Sequence, residues 1–344
     1  MKKLVYGMMA LAALASCNSD DDMTVSVPRS NMALNFSLNA AETKAIVEST
    51  TFPVGQTIGI YGFDARTSTI GTVGWGNAAG YTQDLANGVY TTQALNGSGV
   101  QYLKPADGKI AYFQKGDDAA VVLYGYYPYT AEASSVYGDA APTIPVEGKA
   151  AYDTTDDYMY TGRIEQPVTY STIPLVFKHA MGGLKLKLKC ADETVGDVTV
   201  LKATVVTKKG QKGTMNVADG TITYDEDLST AVTTFASPDL NVPVAATSAG
   251  EDLGVKFLFL PGLDVIEKVI ITLNRGSFPA NDPRTYEITA AAEGAHAVNL
   301  VAGKFTILNL VFSPKDMNFT AEIAEWTDNA EENPEFSETD KYTE

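Results

Sequence analysis

The thiol of Cys17 is the group whose chemistry this sequence predicts most directly. It stands one residue after an apolar run, Leu4–Ala15, which begins behind the basic residues Lys2 and Lys3. A basic start, a short apolar run and small residues before a cut are the layout of a secretory signal peptide. The run is too short to span a membrane, because a spanning helix needs roughly 20 apolar residues. We therefore expect residues 1–16 to be removed, which makes Cys17 the first residue of the mature chain.

The stretch from Leu14 to Cys17 resembles the lipobox of bacterial lipoproteins. In that family the thiol receives a diacylglycerol and the chain is cut before the cysteine, so the resemblance implies an outer membrane lipoprotein precursor anchored through Cys17. Each buried CH₂ of an acyl chain contributes about 0.8 kcal/mol to such an anchor. The next residues, Asn18–Asp22, are similar to the acidic export tag of surface lipoproteins of Bacteroides-type bacteria. The alternatives are an incidental cysteine and a solvated acidic linker, and both also leave the folded part outside the cytoplasm.

No group of side chains in the sequence predicts catalysis or metal binding. The two histidines are His179 and His296, and a structural role is expected for His179 because it lies beside the start of an apolar strand pattern. The sequence contains no G-x-S-x-G, H-E-x-x-H or phosphate-loop motif. Asp153, Asp156 and Asp157 lack the spacing of a calcium loop, so we expect them in a solvated loop. We therefore expect no enzyme, no cofactor and no metal.

Charge and composition limit the partners that the protein can have. The 344 residues include 25 basic and 42 acidic side chains, which gives a net charge of −17. The sequence offers no basic stripe that fits a phosphate backbone, so nucleic-acid binding is not expected. The 18 tyrosines, with abundant Thr and Val, favour strands over helices. If Cys17 is acylated, Cys190 has no disulfide partner, and we expect it to be a small buried side chain.

Alternating apolar and polar residues predict many short strands. The clearest run is Leu184–Cys190, in which four apolar side chains alternate with three lysines. The Asp219-Gly220 pair between two short strand patterns predicts a hairpin. Short helices are expected at Ala41–Ser49 and Gly262–Glu267, and Gly71–Ala120 is expected to contain few strands. Further strand patterns cover Ala33–Leu38, Thr57–Phe63, Val121–Tyr127, Val198–Thr207, Val255–Leu260, Lys268–Leu273, His296–Val301, Lys304–Phe312 and Asn318–Trp326.

Many short strands separated by turns are typical of antiparallel sandwiches. The length and the spacing of the strands predict two domains with a boundary near residue 175. The acidic tail, residues 329–344, contains few apolar residues and is expected to be mobile. The predicted division is a signal peptide at 1–16, a lipidated pro-segment with the first strand at 17–44, an N-terminal sandwich at 45–174, a C-terminal sandwich at 175–328 and the acidic tail.

Five segments, taken in order along the chain, resemble the fimbrillin family, the Mfa-like subunits and relatives of type V pili. Each motif is weak alone, but the set spans residues 33–326 behind the lipobox. Gln56 stands where the family usually has an Asp. The segments are Ala33–Asn39 (ALNFSLN) followed by Glu42–Ala45 (ETKA), Phe52–Gly62 (FPVGQTIGIYG), Val122–Tyr129 (VLYGYYPY), Leu175–Leu184 (LVFKHAMGGL) and Ala321–Trp326 (AEIAEW).

The resemblance implies an all-β fold of two tandem transthyretin-like antiparallel β-sandwich domains, and assembly by strand exchange. In the family, a trypsin-like protease cuts the precursor after an Arg or Lys and the first strand leaves. An extended segment of a neighbouring subunit then fills the groove. The strand that leaves here would be Asn31–Ala40, with Leu34, Phe36 and Leu38 facing inward, and Lys44 matches the cut site.

The implied function is that of a structural subunit of a cell-surface fimbria, which supports adhesion or biofilm formation. Its expected partners are other fimbrial subunits, the protease, the outer membrane before processing, and a host glycan or protein receptor. Arg29 is a rival cut site. The residues after Trp326 make a poor plug, which favours a tip or accessory subunit, whereas a donor role for Asn318–Trp326 would favour a stalk subunit.

Tyr124, Tyr126, Tyr127 and Tyr129 support an alternative function. Exposed aromatic rings stack on sugars, so the cluster would suit a surface lipoprotein that acts as a glycan-binding module. Alternating tyrosines that fill a sandwich core are the competing structural interpretation. Burial of these rings in the core would favour the structural interpretation, and their exposure to solvent would favour glycan binding.

Overall fold

The described part of the computed structural model consists almost entirely of strands. Its only helical element is a short 3-10 turn at Glu193–Val195, so the all-β prediction is confirmed. None of its helices is long and apolar enough to cross a membrane. The described residues are 32–38, 52–64, 85, 87–108, 110–113, 119–134, 141–150, 156–225, 232–275, 283–291, 297–313 and 317–325.

Twenty-three strands follow one another along these residues. They are β1 (Phe36–Leu38), β2 (Thr57–Asp64), β3 (Gly88–Leu95), β4 (Gln101–Pro105), β5 (Ala120–Tyr127), β6 (Thr143–Glu147), β7 (Met159–Tyr160), β8 (Ile164–Pro167), β9 (Ile173–Leu175), β10 (Lys178–His179), β11 (Gly182–Cys190), β12 (Val198–Thr207), β13 (Lys212–Asn216), β14 (Ile222–Tyr224), β15 (Thr233–Ala236), β16 (Val242–Val244), β17 (Glu251–Phe259), β18 (Gly262–Leu263), β19 (Ile266–Arg275), β20 (Arg284–Thr289), β21 (Asn299–Leu300), β22 (Lys304–Phe312) and β23 (Met317–Glu325).

The N-terminal strands form a nine-stranded sheet in the order β10-β7-β5-β2-β3-β4-β1-β9, with β8 paired to β5. A smaller sheet, β14-β13-β6, supplies further side chains to the same core. This first core is rich in aromatic rings, among them Tyr61, Tyr126 and Phe177, which are buried. In the strand order of this sheet, β1 lies next to β9, although the two strands are more than 130 residues apart in the sequence.

The second core lies between a four-stranded sheet, β17-β11-β22-β23, and a five-stranded sheet in the order β15-β12-β19-β20, with β16 paired to β12. Leu184, Leu186 and Leu188 of β11 are fully buried, while the lysines between them are partly exposed. The predicted alternation of this strand is confirmed. Burial of these leucines stabilises the second core, and the described residues contain no disulfide that would add to this stability.

The hairpin β13–β14 lies after residue 175 in the sequence but pairs with β6 and packs into the first core. The predicted Asp219-Gly220 turn is confirmed: the Asn216 carbonyl accepts from the Gly220 amide at 2.8 Å, and Gly220 has a φ of +75°. Leu258 and Phe305, on strands of the four-stranded sheet, also pack into the first core. The boundary near residue 175 stays a prediction, and a cut there would separate β6 from β13.

Two local expectations are wrong. Gly262–Glu267 is not a helix, since β18 and the start of β19 occupy it and Val265 and Ile266 are buried in the second core. Gly71–Ala120 contains the full strands β3 and β4, which its polar composition concealed. Ala41–Ser49 lies outside the described residues.

Gly220→Ala tests how the hairpin is held against the main sheet. A Cβ at Gly220 would overlap the ring of Tyr160 on β7 in addition to straining the left-handed backbone, whereas Gly99 has a similar φ of +76° with open space around it. We expect Gly220→Ala to lower the free energy of unfolding by about 2–4 kcal/mol and Gly99→Ala by about 1 kcal/mol. Denaturant titration of both variants measures the difference. Equal losses would show that the Tyr160 contact is unimportant.

Candidate functional site

The first described segment, residues 32–38, is extended and buries an apolar side chain at every second residue, and Ser37 is buried as well. Met32, Leu34, Phe36 and Leu38 are only 8, 4, 1 and 4% exposed, whereas Asn35 between them is exposed. This period of two is what a strand produces when one of its faces lies on a core. The structure therefore places the three predicted inward residues in the first core, and their exchange stays a prediction.

The same segment has strand partners on both sides. β1 runs antiparallel to β4, with Ser37 opposite Tyr102, and parallel to β9, with Ser37 opposite Pro174. The Ile173 amide donates to the Asn35 carbonyl at 2.8 Å. The segment before β1 is also bonded, because the Leu34 amide donates to the Ala111 carbonyl at 2.8 Å and the Phe113 amide donates to the Met32 carbonyl at 2.9 Å.

β1 is the only described strand that joins β9 to the nine-stranded sheet. β4 has a second ladder with β3, so it keeps a partner without β1. β9 is followed after two residues by β10, which lies at the opposite end of the strand order beside β7. Removing β1 would thus open a gap, bordered by β4 and β9, into which a strand fits. We call this gap the slot.

Aromatic rings line the floor of the slot and the core beneath it. The ring of Phe36 meets Tyr90 of β3 edge to face, with 5.3 Å between the ring centroids. Phe52 makes similar contacts with Tyr127 at 5.3 Å and with Phe177 at 5.4 Å. Burial, with a smaller contribution from the Asp107 charge, raises the pKa of Tyr90. The slot therefore presents an uncharged surface, suited to an apolar plug.

A buried amide fixes the wall of the slot beside β1. Gln101 of β4 stands opposite Leu38 and is 2% exposed. Its Nε2 donates to the carbonyls of Phe52 at 2.7 Å and Gln93 at 2.9 Å, and its Oε1 accepts from the Phe52 amide at 3.0 Å. None of these bonds involves β1. The geometry of the wall is consequently set by β3, β4 and the chain around Phe52.

Thr92 of β3, which is fully buried, completes this arrangement. Its hydroxyl donates to the Pro53 carbonyl at 2.6 Å and accepts from the Gln56 amide at 2.9 Å. Its own carbonyl accepts from the Gly55 amide at 2.9 Å. A buried polar group without partners is costly, so these bonds hold the entry to β2 in one position. Sequence reasoning missed both Gln101 and Thr92.

Three of the four clustered tyrosines are part of the core, and Tyr129 packs against it partly buried. Tyr124, Tyr126 and Tyr127 are 5, 0 and 1% exposed. The Tyr126 hydroxyl donates to Asn87 Oδ1 at 2.5 Å, and the Tyr127 hydroxyl donates to Gln56 Oε1 at 3.0 Å. Burial is also the main cause that raises the pKa of Tyr126. These three rings cannot stack on a sugar from solvent, which confirms their structural interpretation.

His179 and Asp157 form a buried hydrogen bond. The Nδ1 of His179 lies 2.5 Å from Asp157 Oδ2, and the two side chains are 6 and 0% exposed. The structural role expected for His179 is confirmed, whereas the solvated loop expected for Asp157 is wrong. Among the described residues no three His, Cys, Asp or Glu side chains form a metal cluster. His296 and Asp153 lie outside those residues.

The remaining sites predicted from the sequence are one buried thiol and three undescribed residues. Cys190 is buried as expected, with its sulfur 3.6 Å from the Gly196 carbonyl. Burial is the first cause that raises the pKa of this thiol, which makes it unreactive. Cys17, Lys44 and Arg29 lie outside the described residues, so lipidation and cleavage stay predictions.

The sequence model of a family described as fimbrillin-like matches residues 43–326. Three solved structures share the fold. A putative cell adhesion protein from Bacteroides ovatus aligns with a TM-score of 0.57 at 16% identity, covering 86% of this chain and 97% of its own. One from Bacteroides uniformis gives 0.53 at 16%, covering 86 and 98%, and a fimbrial protein from Bacteroides vulgatus gives 0.52 at 13%, covering 86 and 100%. No curated protein matches the chain significantly.

Phe36→Ala tests how strongly β1 is held in its slot. The substitution leaves a cavity against Tyr90, and we expect it to lower the free energy of unfolding by about 3–5 kcal/mol. The neighbouring change Asn35→Ala removes an exposed side chain and should cost about 0.5 kcal/mol or less. Thermal and denaturant unfolding of the uncut chain provide the measurement. A small loss for Phe36→Ala would mean that β1 contributes little to the first core.

Proposed function

This chain belongs to the fimbrillin-like family, and we propose from that premise that it is a cell-surface fimbrial subunit assembled by strand exchange. The observation that carries the proposal is the position of β1. It fills a slot between β4 and β9, with apolar side chains at every second residue. Main-chain hydrogen bonds and alternating side-chain pockets are the two elements of recognition by strand addition.

The first step of the proposal is a cut that separates β1 from the rest of the chain. Lys44 is the only basic residue between Leu38 and Thr57. A trypsin-like cut after Lys44 therefore frees the segment that includes β1. A cut after Arg29 lies before Met32 and leaves β1 covalently joined to β2. Of the two candidate cut sites, only Lys44 can release the strand.

The second step is replacement of β1 by another strand. Full burial of one large apolar side chain contributes about 1.5–3 kcal/mol, so the four buried side chains of residues 32–38 hold the cut segment firmly. Spontaneous loss of β1 would also leave β9 without its only described strand partner. An incoming strand that forms its contacts while β1 leaves avoids this intermediate. The slot therefore favours exchange over dissociation followed by binding.

The incoming strand must meet the geometry of β1. It needs apolar side chains at alternate positions over about seven residues, and in the orientation of β1 it runs antiparallel to β4 and parallel to β9. Within this chain, β23 has such a pattern at Met317, Phe319, Ala321 and Ile323. β23 is paired with β22, so a stalk role requires that β23 leaves its sheet. A tip or accessory role requires only the slot.

The location and partners follow from the same proposal. Lipid on Cys17 would hold the precursor at the outer membrane, and the cut after Lys44 would release the folded part from its anchor together with β1. The mature subunit would then lie in a fimbrium at the cell surface, joined to other subunits, where it supports adhesion or biofilm formation. The slot is filled by β1 until the cut, which prevents premature joining.

Lys44→Ala tests the cut. We expect a trypsin-like protease to trim the purified chain to Ala45 and to start polymer formation, seen by mass spectrometry and size-exclusion chromatography. Lys44→Ala should abolish both, while Arg29→Ala should leave both unchanged. Trimming without any polymer, at concentrations where the subunits meet, would contradict strand donation by this chain, and so a stalk role, while leaving the cut and an acceptor role in place.

A disulfide between β1 and β4 tests the exchange separately from the cut. Ser37 and Tyr102 are directly opposite in antiparallel strands, where Cα atoms are about 4.5–5.5 Å apart, within the range of a disulfide. We expect the Ser37→Cys/Tyr102→Cys chain to be trimmed normally but to stay monomeric until a reductant is added. The Tyr102→Cys single variant should polymerise without reductant. Polymerisation of the oxidised double variant with its fragment still attached would exclude exchange at this slot.

A further inference from the structure

Phe36 differs from the other buried apolar side chains of residues 32–38 in what surrounds it. It is the only aromatic residue of that segment, and its ring meets the Tyr90 ring edge to face at 5.3 Å. Ile173 of β9 stands in register with it, and Tyr90 and Ile173 are themselves only 4 and 1% exposed. Rings paired in this geometry attract each other beyond the effect of burial. The slot therefore has one pocket that is matched to a ring, which we call the aromatic pocket.

The next inward position along the slot has different neighbours. Leu38 stands in register with Gln101 on one side and with Leu175 on the other. Three hydrogen bonds hold the Gln101 amide to the chain at Phe52 and Gln93. Moving this amide aside for a larger side chain would break bonds that are buried, which is costly. The two inward positions are thus not interchangeable.

Ser37 lies on the outer face of β1 and yet is buried. It is 8% exposed, whereas Asn35 on the same face is exposed. Its partners in the neighbouring strands are Tyr102 of β4 and Pro174 of β9, and side chains in register lie on the same face of a sheet. A serine side chain fits between these two neighbours, whereas a long side chain would have to displace one of them. We call this second site the outer notch.

Alternation alone does not fix the position of a strand in the slot. A displacement by two residues, about 6.7 Å, keeps the same side chains facing the core. Displaced in one direction, β1 would place Leu34 in the aromatic pocket and Asn35 in the outer notch. Displaced in the other, it would place Leu38 in the pocket and Asn39 in the notch. The aromatic pocket and the outer notch therefore distinguish one register from its neighbours.

We infer that the slot selects its strand by an aromatic residue followed directly by a small one, and that the aromatic residue sets the register. The inference rests on the strand exchange proposed above and names the kind of segment that the exchange accepts. Such a segment has apolar residues at alternate positions, one of them aromatic. β23 has the same order at Met317–Ala321 (MNFTA), which compares with Leu34–Leu38 (LNFSL), so it meets this requirement as well as the alternation.

Disulfide mapping of the register tests the inference. The chain carries Tyr102→Cys and is cut after Lys44, and it is mixed with synthetic peptides of residues 31–40 that carry one cysteine each. Residues in register on adjacent strands are close enough for a disulfide, whereas residues displaced by two are not. With the native order, we expect the Ser37→Cys peptide to link to the cysteine in β4 at least tenfold more than the Asn35→Cys peptide does.

Moving the ring by two residues gives the matched comparison. The change Leu34→Phe/Phe36→Leu in both peptides keeps their composition and their alternation. We expect the strand to shift by two residues with its ring, so that the Asn35→Cys peptide links and the Ser37→Cys peptide does not. Linking at position 37 with both orders would overturn the inference and leave exchange intact. No link from any peptide would contradict exchange at this slot, and the inference with it.

Two lysine substitutions test the outer notch with the same added charge. The Ser37→Lys peptide should need at least tenfold more peptide to half-fill the slot of the otherwise unchanged cut chain, because its side chain does not fit the notch. The Asn35→Lys peptide, altered at an exposed position of the same face, should enter within twofold of the unchanged peptide. Co-elution of labelled peptide with the chain in size-exclusion chromatography measures both. Equal entry of the two peptides would overturn selection by a small residue.

Discussion

The pairing of β1 with strands on both of its sides is the interaction on which the N-terminal sheet depends. Backbone amides and carbonyls in a core need partners, and β1 supplies them to β4 and β9 at the same time. β9 has no other strand partner among the described residues, so its place in the sheet follows from β1. A seven-residue segment near the start of the chain therefore completes a sheet whose other strands reach residue 179. The same dependence supports the proposed exchange, in which another strand with this alternation would satisfy both edges.

The polar groups beside the slot hold its wall through hydrogen bonds that do not involve β1. Gln101 and Thr92 bond to the chain between Phe52 and Gln56, and none of those bonds reaches β1. The wall is therefore a property of β2, β3 and β4. The opposite side is anchored differently: Phe177, two residues after β9, packs on Phe52. One border of the slot is held by hydrogen bonds and the other by apolar contacts near its end.

The parts of the fold that the sequence predicts are those in which burial alternates with residue number. Leu184–Cys190 follows that rule along its whole length, and the apolar residues Leu34, Phe36 and Leu38 follow it in Ala33–Leu38, where Ser37 is buried as well. β3 and β4 were missed because their buried positions include Thr92 and Gln101, whose hydrogen-bond partners are far away in sequence. Asp157 was misjudged for the same reason, since its partner His179 lies on a neighbouring strand. The inward residues of β1 could be predicted, but its position beside β9 could not, because a parallel pairing across more than 130 residues leaves no local pattern.

In the proposed assembly, charge affects how subunits meet, whereas burial determines how strongly they are joined. A chain of net charge −17 repels its own copies, and this repulsion slows their encounter at low ionic strength. The slot, in contrast, is lined by aromatic and aliphatic side chains and neutral amides, so the strength of a joint formed there depends on buried apolar area and on main-chain hydrogen bonds. Salt should thus change the rate at which subunits meet, because it screens the exposed carboxylates. It should change the stability of the joint far less, because the plug carries no charge. In the proposed assembly, repulsion between the acidic surfaces and an uncharged slot would together favour joints that form only after the cut and then persist.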